Sequence, residues 1–279
     1  MGMDKISIMI SEGLLTNTNT CKAFLDRIQG FGISGVEILL AKRKNCYCNI
    51  NVLSNFAEEL LKRNMQIPCV DLYVNYLQPG HFDETCRIVD RMIAAAGALA
   101  SPLGMICGSV LPDGMEPDKG REIVAQGIDR AIKTGRKKKI DIAIESFGMS
   151  WNLQSTTDRL ADLYGKLKEG PCFFVGDLGN PCYGGETPII SLQKFSDKLK
   201  HVHVKDVKKT KPGKGSPTSG DYWLDAEKLG RGIADIPGSL RFLNQERYSG
   251  WYSLELNWRN NLKIIGQYSS ALKRLLKTA

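Results

Sequence analysis

What this sequence lacks narrows the field first. Its 279 residues contain only three histidines, His81, His201 and His203, too few to assemble several metal ions on imidazole ligands. None of the eight cysteines (Cys21, Cys46, Cys48, Cys69, Cys86, Cys107, Cys172, Cys182) forms a CxxC pair. Several lie in apolar runs such as Ile67-Pro68-Cys69-Val70, where a thiol behaves as a small buried hydrophobe, so reduced structural cysteines are expected. No GxGxxG follows the first apolar run, which removes the dinucleotide fingerprint. No uncharged run reaches membrane-spanning length. The start, Met1-Gly2-Met3-Asp4-Lys5-Ile6, has neither a long apolar stretch nor the hydroxyl residue that a myristoylation signal needs at position six. A cytoplasmic location with no membrane partner is the expectation.

The composition is that of an ordinary globular chain, 42% hydrophobic and 24% charged, able to bury a core without disulfides. A net charge of +8 is compatible with nucleic-acid binding, with anionic substrates, or with solubility alone. Part of the excess is Arg136-Lys137-Lys138-Lys139, which reads as a solvated helix end where cations suit the dipole. Another part is the Lys-rich stretch from Lys205 to Lys214.

Short apolar runs rich in β-branched residues recur between helical patterns: Ile6–Ile10, Gly35–Leu40, Ile67–Leu72, Gly104–Cys107, Ile140–Glu145, Cys172–Asp177, His201–Lys205 and Trp251–Glu255. Ile140-Asp141-Ile142-Ala143-Ile144 is nearly apolar throughout, as a parallel strand covered on both faces should be. Between the runs the period becomes helical. Ser155 and Asp158 form a capping-box-like start before Leu160, Leu163, Tyr164 and Leu167, and Leu262, Ile265, Leu272, Leu275 and Leu276 share one face of the last segment. Eight strand–helix units without a linker predict one α/β domain over residues 1–279, a (β/α)8 TIM barrel, with an open α/β sheet as the alternative. From 207 to 238 the connection is long and rich in Lys, Gly, Pro and Ser. It leaves from the catalytic end of such a barrel, as either a candidate lid or a surface insertion.

Charge recurs at the strand ends that form the mouth. Glu145, Asp177, His203 and Glu255 terminate or lie near the ends of the last four strands, separated by 32, 26 and 52 residues, and so fall at equivalent heights. Alternation along His201-Val202-His203-Val204-Lys205 puts the valines toward the helices and His203 inward. Three buried carboxylates beside one imidazole call for either an ion-pair network or one divalent cation, and a single Lys205 is too little to neutralise all three acids. The oxygen-rich donor set suits Mn, Mg or Co, with Zn also compatible.

Gly35-Val36-Glu37, Ile144-Glu145-Ser146, Asp177-Leu178-Gly179-Asn180, His201-Val202-His203-Val204-Lys205-Asp206, Gly230-Arg231-Gly232-Ile233 and Ser253-Leu254-Glu255-Leu256 together resemble the sugar phosphate isomerase/epimerase family, with its xylose-isomerase-like barrel. The resemblance extends over essentially the whole chain. It implies one divalent metal held by Glu145, Asp177, His203 and Glu255. It further implies that Glu145 and Glu255 shuttle a proton on opposite faces of a small sugar-like substrate through a metal-stabilised enediolate. The same enediolate expelling a β-hydroxyl would make the enzyme a dehydratase. Asn180 departs from those epimerases that carry His three residues after the strand-six Asp.

Asn180, Lys205, Asp206, Arg231 and Glu37 are candidate substrate contacts, as are Trp151 and Trp258, which could stack on a sugar. His201 reads as core or as support for the ligands, and His81 as a surface loop residue. An apurinic-endonuclease-like nuclease shares the barrel type but needs more histidines, so no nucleic-acid partner is expected. A non-catalytic binding subunit is the remaining alternative, and a homo-oligomer is compatible with either.

Overall fold

A computed structural model describes residues 5–16, 18–41, 50–148, 153–257 and 261–279. Eight parallel strands close into a barrel: β1 (Ile6–Ser11), β2 (Gly35–Ala41), β3 (Val70–Tyr73), β4 (Leu103–Cys107), β5 (Asp141–Glu145), β6 (Phe173–Asp177), β7 (Leu199–Val204) and, after an insertion, β11 (Trp251–Leu254), which pairs with both β7 and β1. The expected TIM barrel is therefore the observed fold. Helices α1 (Thr18–Gly30), α2 (Ile50–Leu61), α3 (Phe82–Ala98), α4 (Pro117–Lys138), α5 (Thr157–Tyr164), α6 (Pro188–Lys194), α7 (Ile236–Gln245) and α8 (Leu262–Thr278) alternate with the barrel strands.

The period of two in each strand decides which side chains enter the barrel. Ile8, Val36, Ile38, Leu72, Ile144, Phe174, Val202 and Leu254 are fully buried in the core between sheet and helices, where each contributes about 1.5–3 kcal/mol of burial free energy. Their neighbours face inward. A second, smaller apolar cluster of Cys69, Leu103, Met105, Cys107, Ala143 and Val175 plugs the barrel. The six described cysteines are free and buried.

Local chemistry explains where elements begin and end. β3 starts at Val70 rather than Ile67, because Pro68 has no N–H to give a ladder. α5 is capped by Thr156, whose hydroxyl accepts from Arg159 N, instead of by the Ser155–Asp158 pair. α4 ends on Arg136, Lys137 and Lys138, with Lys139 left-handed at its cap, as expected for cations at a helix C-terminus. No helix among the described residues is long and apolar enough to cross a membrane.

The long connection is not a structureless loop. It folds into a three-stranded antiparallel sheet of β8 (Asp206–Thr210), β9 (Ser216–Pro217) and β10 (Trp223–Glu227), in the order β8-β10-β9. Two of its lysines serve the sheet itself: Lys208 Nζ lies 3.0 Å from Glu227 Oε2, and Lys209 Nζ lies 4.4 Å from the Tyr222 ring centre.

Candidate metal centre

In a parallel ladder, residues in register share a face of the sheet. His203 is in register with Asp177 on one side and Ser253 on the other, while Val175 is in register with Glu145 and His201. All of these therefore face the barrel interior, and Glu255 follows directly on β11. One ligand atom each from Glu145, Asp177, His203 and Glu255 lies within 4.8 Å of every other. Glu145, Asp177 and His203 are buried, and the Glu255 side chain is 32% exposed.

His203 Nδ1 is the hub, 2.6 Å from Glu145 Oε1 and 3.8 Å from both Asp177 Oδ2 and Glu255 Oε2. Behind it, Nε2 lies 2.9 Å from Glu37 Oε1. Asp177 is held by its other oxygen, Oδ1, which accepts from Gly179 N and Asn180 N, both at 2.6 Å. Its Oδ2 is buried without a hydrogen-bond partner among the described residues. The Lys205 ammonium is 2.9 Å from that oxygen, but its hydrogen bond goes to Glu255 Oε2 at 2.6 Å. The Lys205 stem lies against Gly179, where a Cβ would come within 2.6 Å of Cγ.

Crowding this many acids into a buried site moves their protons. Burial pushes the carboxyls of Asp177 and Glu255 upward, and Lys205 offsets only part of that. Burial opposes charge on His203, yet the Glu37 and Glu145 carboxylates hold its imidazolium well above the usual histidine range. Lys205 is likewise held up by Asp177, Glu255 and Glu145 against its own desolvation.

These residues fit a divalent cation. Asp177 Oδ2 is buried with no hydrogen bond, only the ion-pair contact with Lys205, and three carboxylates with one imidazole form an oxygen-rich donor set for such an ion. A family model for the xylose isomerase-like TIM barrel matches residues 25–278. The chain belongs to that family. Among curated proteins, it is 28% identical over 161 residues to an inosose dehydratase of Clostridium beijerinckii, covering 56% of this chain and 53% of that protein. The chain thus spans about half the length of the curated relatives it matches.

Solved structures share the fold of this xylose isomerase-like barrel at low identity. A D-tagatose 3-epimerase-like protein superposes with a TM-score of 0.79 and 15% identity, covering 98% of this chain and 97% of that one. A xylose isomerase-like TIM barrel protein from Mycobacterium smegmatis in complex with magnesium gives 0.74 and 12%, covering 99% and 96%.

Of the four residues, Glu255 lines a cavity of about 1060 Å³, with Ser11, Asn180, Lys205, Asn257 and Gln267 among its other polar lining. Asn180 and Lys205, expected as substrate contacts, are in its wall; Asn180 Nδ2 also donates to Ser146 O at 2.9 Å.

Three other candidate contacts have structural engagements. Asp206 borders the cavity, and its carboxylate accepts from the backbone N–H groups of Val207, Gly230, Arg231, Gly232 and Ala234, so it ties the insertion to the barrel. Arg231 takes part through that backbone N–H, and its side chain is exposed and away from the cavity lining. Glu37 is fully buried, with both oxygens taken by His201 and His203. Trp151 and Trp258 lie outside the described residues. His81 pairs with Glu84 at the surface.

The sequence reading missed the aromatic lining formed by Tyr73, Phe147, Tyr183 and Tyr268. Tyr73 and Phe147 meet edge to face at 5.3 Å. Tyr73 ends β3 and Phe147 follows β5 by two residues, and that placement at C-terminal strand ends was the signal available.

Proposed function

We propose that this barrel is a divalent-metal-dependent sugar isomerase or epimerase that moves a proton at a carbon next to a carbonyl. The observation that carries the reading is the convergence of Glu145, Asp177 and His203 with Glu255, which opens on the cavity. A divalent ion, when bound, supplies Lewis-acid stabilisation of the negative charge that develops on substrate oxygens as the C–H bond breaks. Mn, Mg or Co suits the donor set, and Zn is compatible with it.

The chain's own residues have separate tasks in this reading. Glu145, buried and in contact with His203, and Glu255, open to the cavity, are the two groups that take and return the proton. Lys205 fixes Glu255 by its 2.6 Å bond and keeps a cation beside the reacting oxygens. Asp177 is aimed by the amides of Gly179 and Asn180. Tyr73 and Phe147 offer an apolar surface for the C–H face of a small sugar or polyol.

A dehydratase acting on a keto-sugar or inosose is the second reading, favoured by the inosose dehydratase match. The same proton removal then continues with loss of the β-hydroxyl as water. Incubating the Mn-loaded protein with a panel of ketoses and inososes in D2O separates the two. Deuterium entering a carbon whose configuration inverts, or migration of the carbonyl, supports an isomerase or epimerase. Stoichiometric water loss with growth of enone absorbance supports a dehydratase. Neither outcome on any substrate, with metal bound, overturns both readings in favour of a binding protein.

A further inference from the structure

Resting on the reading of the four-residue group as a metal centre, we infer that Glu37 is a positioning residue for it. Its buried carboxylate accepts the N–H of His203 Nε2 and so aims Nδ1 at Glu145, Asp177 and Glu255, where an ion would replace the Nδ1 proton.

The argument is one of donors and acceptors. Glu37 Oε1 is 2.9 Å from His203 Nε2, and Glu37 Oε2 is 3.0 Å from His201 Nε2. An ionised carboxylate only accepts, so both imidazoles must present N–H at Nε2. The two rings stand nearly perpendicular, at 89° with centres 5.3 Å apart, and their N–H groups converge on one carboxylate. Nδ1 and Nε2 lie on opposite sides of the ring, so pinning Nε2 fixes the direction of Nδ1.

That direction is toward three carboxylate oxygens, at 2.6, 3.8 and 3.8 Å. Without an ion, Nδ1 is at hydrogen-bond distance from Glu145 Oε1; with an ion among these oxygens, Nδ1 is the atom aimed to ligate it while Nε2 stays held by Glu37. Glu37 reaches this position from β2, in register with Met9 of β1 and across the barrel from β7. It is absent from the cavity wall. Its influence on chemistry therefore passes through His203.

Calorimetric titration of the metal-free protein with Mn2+ tests this, comparing wild type, Glu37→Gln and Glu37→Asp. Glutamine offers one acceptor oxygen and cannot receive both N–H groups, so Mn2+ affinity is expected to fall by about 10–100-fold, with partial recovery in Glu37→Asp, which restores both acceptors. A Glu37→Gln protein that binds Mn2+ within about threefold of wild type overturns the inference, since outer partners of ligands normally cost far more.

If Glu37→Gln does not fold, nitrogen NMR of the wild-type Mg2+ complex decides. A proton retained on His203 Nε2 with Nδ1 unprotonated supports the inference, and a proton on Nδ1 overturns it. Wild type that binds neither ion overturns the metal-centre reading, and the inference falls with it. Wild type that binds metal but turns over no sugar overturns the proposed reaction, while the positioning role stands on the binding data.

Discussion

Asp177 and Asp206 are both fully buried aspartates near the barrel mouth, and both accept backbone N–H bonds. Asp206 is saturated: both of its oxygens are filled, by amides that come from the two ends of the insertion. Asp177 is half-saturated, with two amides on Oδ1 and none on Oδ2. A saturated carboxylate stabilises the chain that wraps it, whereas a buried oxygen left without a hydrogen bond is a cost that a ligand can relieve. Completeness of hydrogen bonding thus separates the two roles more sharply than burial or position does.

The largest effect is expected from Asp177→Asn, which should weaken Mn2+ binding by more than about 100-fold, since even partners of metal ligands cost about 10–100-fold. Its metal-free thermal stability should not fall, because burial already disfavours this carboxylate. Calorimetry and thermal melts on the same preparation check both halves; a large loss of stability in the metal-free variant would make Asp177 another Asp206.

Next comes Asp206→Ala, expected to cost about 3 kcal/mol in urea unfolding because several buried amides lose an ionised acceptor. Its metal affinity should barely change. Gly232→Ala should imitate it on a smaller scale, since the added Cβ would run into the Asp206 carboxylate and Val207 O. If either variant lost metal binding while keeping its stability, the distinction between the two aspartates would collapse.

A smaller effect follows from protonation. The folded-state values of Asp177, Glu255 and His203 are all raised. For the two acids the folded protein binds the proton more tightly than the unfolded chain, so their contribution worsens as pH rises from the unfolded carboxylate value through the raised folded one. The His203 contribution is fully present below the unfolded value and is likewise lost as pH rises through the folded one. Metal binding requires these protons to leave, so the stabilisation produced by a fixed Mn2+ concentration should grow as pH rises above the unfolded carboxylate value, by about 1.4 kcal/mol for each tenfold gain in affinity, read as a rising Tm. A gain that is flat, or greatest at the acid end, would show that these groups do not compete with the ion.

The smallest effect is expected from Arg231→Gln, within about 0.5 kcal/mol in stability, because only the backbone of that residue is engaged. Activity on any substrate found should also be unchanged. A marked rise in KM would show Arg231 to be a substrate contact.

The barrel and the inward placement of the last four strand-end residues were legible because alternation and one-unit spacing are local properties of the chain. Pairing across the barrel was not legible. Glu37 and the two histidines of β7 are separated by more than half of the chain, and only closure through β1 and β11 brings them together. The engagement of Asp206 was not legible for a related reason. Its place after strand seven put it at the mouth, but most of the amides that it accepts from belong to Gly230–Ala234, more than twenty residues further on. The insertion itself looked like a loop because its Lys, Gly and Pro content hides short antiparallel strands whose partners are one another.

The Asp206 knot also bounds the insertion. Both ends of the hairpin meet at one carboxylate, and the segment between them also bonds Tyr183 O through Ser219 and accepts from Tyr268 at Glu227 O. This segment contributes Ala226, Glu227 and Lys228 to the cavity wall. Under the proposed reading, redesign of substrate preference can begin at the hairpin without touching the strands that carry the four convergent residues.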